Sequence, residues 1–372
     1  MPHDPYRALY LHFPFCASRC AYCDFATRAV RRDDPAISSY VEDMVMQIRR
    51  AGREGELASI ETVYLGGGTP THTGTKHLSQ VLYALGLTMH LTEDVECTVE
   101  ANPESLDERL VCDLWALGAN RLSIGVQSFD DGLLRTLGRA HTADDARRAV
   151  NDALSRFDNV SIDLMCGLPG QSLGQFESSL REAVELGVKH VSVYPLTIED
   201  HTLFAHMVAS GEIPEPDEDV EADMMKLACE TLASAGFVRY EVANYARSGY
   251  ESRHNAAYWS GKPYLGIGLS AATMTQNDQR RMRVQDGRVT DDLDPRQMAA
   301  EDLMLAMRMT RGVDADLLSR AERLLPKTRA VLEELVMRGL ASHDIPSDAY
   351  RPTELGWLCG NELYGALYDL AP

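Results

Sequence analysis

The chain of 372 residues carries 36 basic and 56 acidic side chains, a net charge of −20, and 45% of its residues are hydrophobic. This composition is typical of a globular protein long enough for two domains, and so negative a charge argues against nucleic acid as a partner, which requires a basic face. No stretch approaches the ~20 apolar residues of a membrane helix, and residues 1–5 do not resemble a signal peptide, so we expect a cytoplasmic protein.

Short β-branched or aromatic runs alternate with amphipathic patterns in the first half of the chain. The predicted strands are Ala8–His12, Thr62–Leu65, Glu96–Val99, Arg121–Gly125, Val160–Met165 and His190–Tyr194. The predicted helices between them are Ser38–Arg50, Lys76–Leu85, Ser105–Leu117, Ala143–Phe157 and Leu173–Leu186. Strands that alternate with helices form parallel sheets with right-handed crossovers. We therefore predict an α/β fold, a (β/α)6 barrel that is closed or partly open.

The pattern changes after Tyr194. A helix (Val220–Ala235) and a strand (Val238–Val242) precede the segment Ala243–Gly287, which we predict to be irregular. Further helices are predicted at Met298–Met309, Asp314–Leu324 and Thr328–Arg338, with one more after Gly356. The chain thus divides into a barrel (1–245), a connecting segment (246–294) and a small, mostly helical C-terminal domain (295–372), for which a winged helix is one candidate.

Three of the eight cysteines, Cys16, Cys20 and Cys23, lie within eight positions of one another. Thiolates this close on a loop can converge on one metal centre. Structural zinc takes four ligands, and an ordinary [4Fe–4S] cluster takes four cysteines. Either His12 completes a zinc site, or one iron of a cluster is left open for an exogenous ligand. Ligand softness favours iron–sulfur.

Distinctive residues follow several of the predicted strands. They are the three cysteines, Gly66–Pro70, Glu100–Pro103, Gln127 and Gly167–Gly170. In barrels of parallel strands the active site lies at the carboxyl ends of the strands. We therefore expect these residues to share one site.

The Cys-x3-Cys-x2-Cys spacing after a first strand, with an aromatic residue just before the third cysteine, resembles the radical S-adenosylmethionine (SAM) superfamily. In that superfamily a [4Fe–4S] cluster binds SAM through its open iron, and Gly66–Pro70 resembles the glycine loop that holds SAM. The resemblance implies a radical SAM barrel in which Cys16, Cys20 and Cys23 hold the cluster. The residues that it implies for SAM binding are Tyr10, Tyr22, Gly67, Gly68, Thr69, Glu100, Gln127, Arg139 and Asp163. A structural cap or salt bridge is the alternative role for each.

Over nearly the whole chain the motifs resemble the group around oxygen-independent coproporphyrinogen III oxidase. The oxidase itself has a further cysteine two positions after the third, where this chain has Phe25, and a longer segment ahead of the cysteines. The run 254–259 (His-Asn-Ala-Ala-Tyr-Trp) matches the His-Asn-x-x-Tyr-Trp motif of the HemW-type haem chaperones. The sequence is therefore identified as a member of that branch.

This resemblance implies that the protein binds haem as cargo and delivers it to an acceptor haem protein, for which a respiratory protein is one candidate. His254 would ligate the haem iron, with Tyr258 and Trp259 shaping the pocket. Without the resemblance, a histidine beside two aromatic residues is more often a hydrogen-bonded core residue. A homodimer and membrane association through a partner are compatible with the sequence.

Two enzymatic functions are the alternatives. One is oxidative decarboxylation of coproporphyrinogen III in porphyrin biosynthesis, driven by reductive cleavage of SAM, and the other is radical chemistry on another substrate. Three positions depart from the resemblance: Leu269 replaces an expected proline, Ala272 a histidine and Cys166 an aromatic residue. These departures concern the haem or substrate pocket, and for Cys166 we expect buried packing.

Overall fold

A computed structural model describes residues 3–89 and 94–372. Its strands are β1 (Ala8–Phe13), β2 (Phe15–Cys16), β3 (Arg28–Ala29), β4 (Thr62–Gly67), β5 (Glu96–Ala101), β6 (Arg121–Gln127), β7 (Asn159–Cys166), β8 (His190–Pro195), β9 (Val238–Arg239), β10 (Asn244–Ala246), β11 (Tyr264–Ile267), β12 (Ala272–Asn277), β13 (Arg280–Gln285), β14 (Arg288–Leu293), β15 (Ala341–Asp344) and β16 (Ala349–Pro352). Its helices are α1 (Pro35–Glu54), α2 (Gly74–Met89), α3 (Glu108–Ala116), α4 (Asp131–Thr136), α5 (Ala143–Leu154), α6 (Leu173–Glu185), α7 (Leu203–Ala209), α8 (Glu218–Ser234), α9 (Arg253–Trp259), α10 (Pro295–Ala306), α11 (Ala315–Leu324), α12 (Thr328–Met337), α13 (Glu354–Leu358) and α14 (Gly360–Tyr368).

Six parallel strands build the barrel. They are neighbours in the order β1, β4, β5, β6, β7 and β8, and every adjacent pair is parallel. The predicted α/β barrel is therefore confirmed, and each barrel strand begins at or next to the predicted residue. Sequence signals also set the helix starts, since Thr142 and Ser172 form capping boxes at the first turns of α5 and α6.

Apolar and polar residues alternate along the barrel strands, and both sets are largely buried. On β5, for example, Cys97 and Val99 join the apolar core between sheet and helices, while Thr98 and Glu100 occupy the alternate positions. Successive side chains of a strand point to opposite faces. The second set therefore faces the barrel interior, and that interior is polar.

The sheet continues beyond the barrel at both edges. On one side β11 pairs in parallel with β1, and β12, β13 and β14 follow as an antiparallel meander. On the other side β10 pairs antiparallel with β8 and is followed by β9. The prediction that Ala243–Gly287 is irregular is therefore wrong. These strands carry many polar residues and are only partly buried, so they lack the apolar runs that mark interior strands.

The C-terminal region is mostly helical, as predicted, and has its own apolar cluster of residues between 300 and 371. Helices α10 to α12 precede the hairpin β15–β16, which is the chain order of a winged helix. A buried ion pair joins this region to the sheet: Arg281 on β13 donates to Glu301 at 2.5 Å and to Asp302 at 2.8 Å, both on α10. The three-part division of the chain stays a prediction.

Within residues 3–89 and 94–372, none of the helices has the length and apolar character that crossing a bilayer demands.

Candidate functional site

A cavity of about 470 Å³ lies at the carboxyl ends of the barrel strands. It brings together most of the residues that the sequence singled out. Those that line it are Cys16, Cys20, Tyr22, Cys23, Gly67, Gly68, Thr69, Glu100, Gln127, Arg139 and Asp163. Phe25, at the position where the oxidase has a cysteine, also lines this cavity and is 68% exposed. We call this space the cysteine cavity.

Two of the three cysteine thiols accept hydrogen bonds from outside their own loop. The Thr69 hydroxyl donates to Cys16 Sγ at 3.5 Å, and Arg139 Nη1 donates to Cys20 Sγ at 3.6 Å. Burial raises the pKa of Cys16 and of Cys23. Binding of a metal to these thiols would therefore release protons, because the thiolate is the ligand form.

The glycine run at the end of β4 must pass very close to the cysteine loop. The Gly68 amide donates to the carbonyl of Phe13 at 2.7 Å. A Cβ atom on Gly68 would lie 2.7 Å from that oxygen and 3.0 Å from Cys16 Sγ. Gly67 has a φ of 107°, and a Cβ there would lie 2.4 Å from the His12 ring. Only glycine fits these two positions.

Two acidic side chains inside the barrel carry raised pKa values. Glu100 accepts from the Gly67 amide at 3.0 Å and from the Tyr64 hydroxyl at 2.6 Å. Burial nevertheless raises the pKa of Glu100 to about 7. Asp163 accepts from the Ser123 hydroxyl at 3.2 Å, and burial raises its pKa as well. Such carboxyls can exchange hydrogen bonds with hydroxyl or ammonium groups of a ligand.

Asn102 lies in the run Glu100–Pro103 that we expected at the site, but no role of its own was predicted for it; it joins two of the predicted SAM-binding residues. Its side-chain oxygen accepts from Arg139 Nη2 at 2.7 Å, and its amide donates to Thr69 Oγ1 at 2.9 Å. Arg139 Nη2 also donates to the carbonyl of Gly125 at 2.6 Å. Its place after a predicted strand pointed to the site, but the sequence pattern did not predict its contacts with Arg139 and Thr69.

Strand alternation and backbone conformation indicate two further residues of the site, Tyr64 and Gln127. Tyr64 was missed, but it lies two residues from Thr62 on the inward-facing side of β4, so strand alternation could have identified it. Gln127 ends β6 with a φ of 66°, which is unusual for a residue other than glycine and common at functional sites.

The cysteine cavity fits an iron–sulfur cluster better than a zinc ion. A zinc site would need His12, but its ring nitrogens lie 3.1 Å from the Tyr10 hydroxyl and 3.0 Å from the carbonyl of Ala26. Nowhere in 3–89 or 94–372 are three His, Cys, Asp or Glu side chains grouped closely enough to hold one metal ion. Three soft thiols around one cavity, with donors to two of them, match the ligand set that a cluster needs.

A second cavity of about 380 Å³ lies next to the first, and we call it the tyrosine cavity. Its lining residues are Tyr10, Tyr64, Glu100, Tyr194, His254, Asn255, Tyr258, Tyr264 and Ala272. Tyr64, Glu100 and Tyr194 line both cavities. Tyr10, which we predicted near SAM, thus lines the tyrosine cavity and not the cysteine cavity.

His254 is 1% exposed and held on several sides. Its Nδ1 lies 2.9 Å from the Thr62 hydroxyl, and its ring stacks on Tyr64 with a centroid distance of 4.9 Å. Its Nε2 is buried and has no hydrogen-bond partner in the part of the chain that the structure describes. Burial lowers the pKa of His254 to about 3, so the imidazole is neutral. Nε2 is a ligand atom in the tautomer whose Nδ1 donates its proton to the Thr62 hydroxyl.

Tyr258 lies against His254 in the structure, whereas Trp259 does not. The Tyr258 ring meets the His254 ring edge-on at 5.0 Å. The Trp259 ring instead lies under the Arg308 guanidinium at 4.8 Å, towards the C-terminal region.

The three departures from the resemblance have different surroundings. Ala272 lines the tyrosine cavity, and Leu269 is half exposed. Cys166 is buried with its sulfur 3.6 Å from the sulfur of Met225, so its expected packing role is met.

Comparison with known proteins places this geometry in a family. Residues 10–183 match the radical SAM superfamily. The heme chaperone HemW of Bacillus subtilis is 33% identical over 382 aligned residues, which cover 97% of this chain and 98% of that protein. The chain belongs to the HemW family. This membership confirms the family that the motifs predicted.

Other relatives agree with the HemW assignment. The heme chaperone HemW of Lactococcus lactis is 37% identical over 268 residues, covering 71% of this chain and 68% of that protein. Among solved structures, the coproporphyrinogen III oxidase HemN of Escherichia coli superposes with a TM-score of 0.80 over 98% of this chain and 90% of its own. That pair is 20% identical, so the likeness concerns the fold alone.

Proposed function

We propose that this HemW-family protein binds haem and delivers it to an acceptor haem protein, and that it carries a [4Fe–4S] cluster with SAM beside it. The observation that supports this most strongly is the relationship to a protein named as a haem chaperone, which extends over nearly all of both chains. The lining of the two adjoining cavities is consistent with it.

In this proposal the cysteine cavity holds the cluster and SAM. Cys16, Cys20 and Cys23 are the cluster ligands. When bound, the cluster supplies an open iron for SAM and an exchangeable electron. Gly67, Gly68 and Thr69 leave room for the methionine end of SAM, and Arg139 offers a guanidinium to a carboxylate. The other proposed SAM contacts in this cavity are Tyr22, Glu100, Gln127 and Asp163, whereas Tyr10 would contact SAM only from the adjoining tyrosine cavity.

The proposed haem ligand is His254 Nε2 in the tyrosine cavity. A neutral imidazole with a free nitrogen suits an axial position on haem iron. Tyr258 and Tyr264 offer flat aromatic surface. Because His254 is 1% exposed, haem reaches Nε2 only if the side chains around it move apart. Trp259 packs on Arg308, so its contribution would come through the position of α9.

Phe25 argues against the oxidase function. It occupies the position of the oxidase's further cysteine and offers no thiol to the cysteine cavity.

The decisive experiment is an anaerobic haem titration of the cluster-reconstituted protein, followed by absorbance. We expect saturable one-to-one binding that His254→Ala weakens or shifts spectrally. His206→Ala, which removes an exposed histidine on α7, is the matched control and should leave binding unchanged. Binding that is indifferent to His254 would contradict the assigned ligand.

Delivery and chemistry need two further assays. Release of haem only in the presence of an apo haem protein would support the chaperone function. Absence of haem binding, together with SAM-dependent conversion of coproporphyrinogen III, would instead establish the enzymatic alternative.

A further inference from the structure

A continuous chain of hydrogen bonds connects two of the cysteine sulfurs through three other side chains. From Cys20 Sγ it runs to Arg139 Nη1 at 3.6 Å, and from Arg139 Nη2 to Asn102 Oδ1 at 2.7 Å. From Asn102 Nδ2 it runs to Thr69 Oγ1 at 2.9 Å, and from there to Cys16 Sγ at 3.5 Å. Asn102 is the central member of this chain.

The chemistry of the neighbours fixes the orientation of the Asn102 amide. A guanidinium only donates hydrogen bonds, so the amide oxygen must face Arg139 and the NH2 group must face Thr69. The Thr69 oxygen then accepts from Asn102 and is left to direct its own hydrogen at Cys16 Sγ. Asn102 thus orients the Thr69 hydroxyl that donates to Cys16, and its hydrogen bond with Arg139 helps to fix the guanidinium that donates to Cys20.

The surroundings hold Asn102 in this position. Its backbone carbonyl accepts from the Ser105 amide at 2.9 Å. A Cβ atom on Gly125 would lie 3.1 Å from Asn102 Oδ1, so a larger residue at that position would press on the amide. The Gly125 carbonyl also accepts from Arg139 Nη2, which anchors the far side of the chain.

We propose that Asn102 is a positioning residue that sets the reduction potential of the cluster by orienting the hydrogen-bond donors of Cys16 and Cys20. Hydrogen bonds to cluster sulfurs are among the factors that determine the potential. They stabilise the reduced state more than the oxidised one, because reduction adds negative charge that the sulfurs share. This inference depends on the cluster of the proposed function.

The test is a redox titration of the reconstituted full-length protein monitored by electron paramagnetic resonance. Asn102→Ala should move the midpoint potential to a more negative value at unchanged iron and sulfide content. Thr69→Val should move it in the same direction, and Thr69→Ser, which keeps the hydroxyl, should not. In the double variant, Asn102→Ala with Thr69→Val, the shift should be smaller than the sum of the single shifts, because Asn102 acts partly through Thr69.

Ser105→Ala is the matched control. It removes a hydroxyl that contacts the Asn102 carbonyl and the Thr71 hydroxyl. The Ser105 amide still donates to the same carbonyl and the chain between the sulfurs stays intact, so its potential should equal that of the wild type. If Asn102→Ala fails to take up the cluster, the pair Thr69→Val and Thr69→Ser carries the test by itself.

Three results would overturn the inference. These are an unchanged potential in Asn102→Ala with full cluster content, a Ser105→Ala shift as large as that of Asn102→Ala, and additive shifts in the double variant. Where Asn102→Ala holds no cluster, equal potentials in Thr69→Val and Thr69→Ser would overturn it. A wild-type protein that takes up no iron would instead refute the proposed cluster.

Discussion

Replacing Glu100 by glutamine should change how the stability of the apoprotein depends on pH. Burial raises the pKa of Glu100 from 4.5 to about 7. Between these two values the folded protein keeps the proton that the unfolded chain has released. The free energy of unfolding must therefore fall as the pH rises through this range, and integration over the shift gives about 3 kcal/mol from this one carboxyl.

Glu100→Gln removes this contribution because its amide does not titrate. Urea unfolding of both proteins between about pH 4.5 and about pH 8 measures the effect. As the pH rises, the free energy of unfolding of the wild type should fall by about 3 kcal/mol more than that of the variant. Glu61→Gln is the control: Lys262 lowers the pKa of Glu61, so this carboxylate stays ionised throughout and its variant should follow the wild-type curve. Parallel curves for wild type and Glu100→Gln would refute the reasoning.

Three further predictions concern individual contacts. Because burial lowers the pKa of His254 from 6.5 to about 3, acidification below about pH 6.5 should lower the free energy of unfolding of the wild type by up to about 5 kcal/mol more than that of His254→Phe; equal losses across that range would contradict this. Gly68→Ala should lower stability by about 1–3 kcal/mol and reduce iron uptake, whereas Gly86→Ala, in open space on α2, should be neutral or stabilising; urea unfolding and iron analysis would reveal any exception. Thr62→Val removes the hydroxyl that pairs with Nδ1 of His254 and should lower the free energy of unfolding by about 1–3 kcal/mol, whereas Thr62→Ser keeps a hydroxyl and should retain most of the stability. Equal urea midpoints for the two variants would contradict this.

The barrel could be predicted because its strands produce a strong local pattern. Runs such as Val160–Met165 are buried on both faces, and the helices between them have apolar stripes and capping residues. The strands after Tyr264 could not be found in this way. They belong to the edge of the sheet, where residues such as Arg280 and Gln285 are at most partly buried, so a polar sequence can still form a strand there.

For the candidate site, too, some features could be predicted from the sequence and others could not. The three cysteines are close in the sequence, so their spacing alone indicated a metal centre. The contacts of Asn102 depend on the meeting of the exits of β4 and β5 with the loop after α4, and only the three-dimensional structure places Thr69 and Arg139 on either side of it. Trp259 shows the converse: its place in a motif suggested a shared pocket, but the turn of α9 directs it to Arg308.

The pairing of β11 with β1 has a consequence for the order in which the molecule is completed. Ala8 and Tyr264 are register partners, although most of the chain separates them. During synthesis the outer edge of β1 stays without its partner until Tyr264–Ile267 has left the ribosome, and pairings between distant segments form slowly. The cysteine loop follows β1 directly, so it is made long before the strand that completes the pairing of β1. A nascent chain would thus contain the three cysteines long before β1 has both of its neighbouring strands.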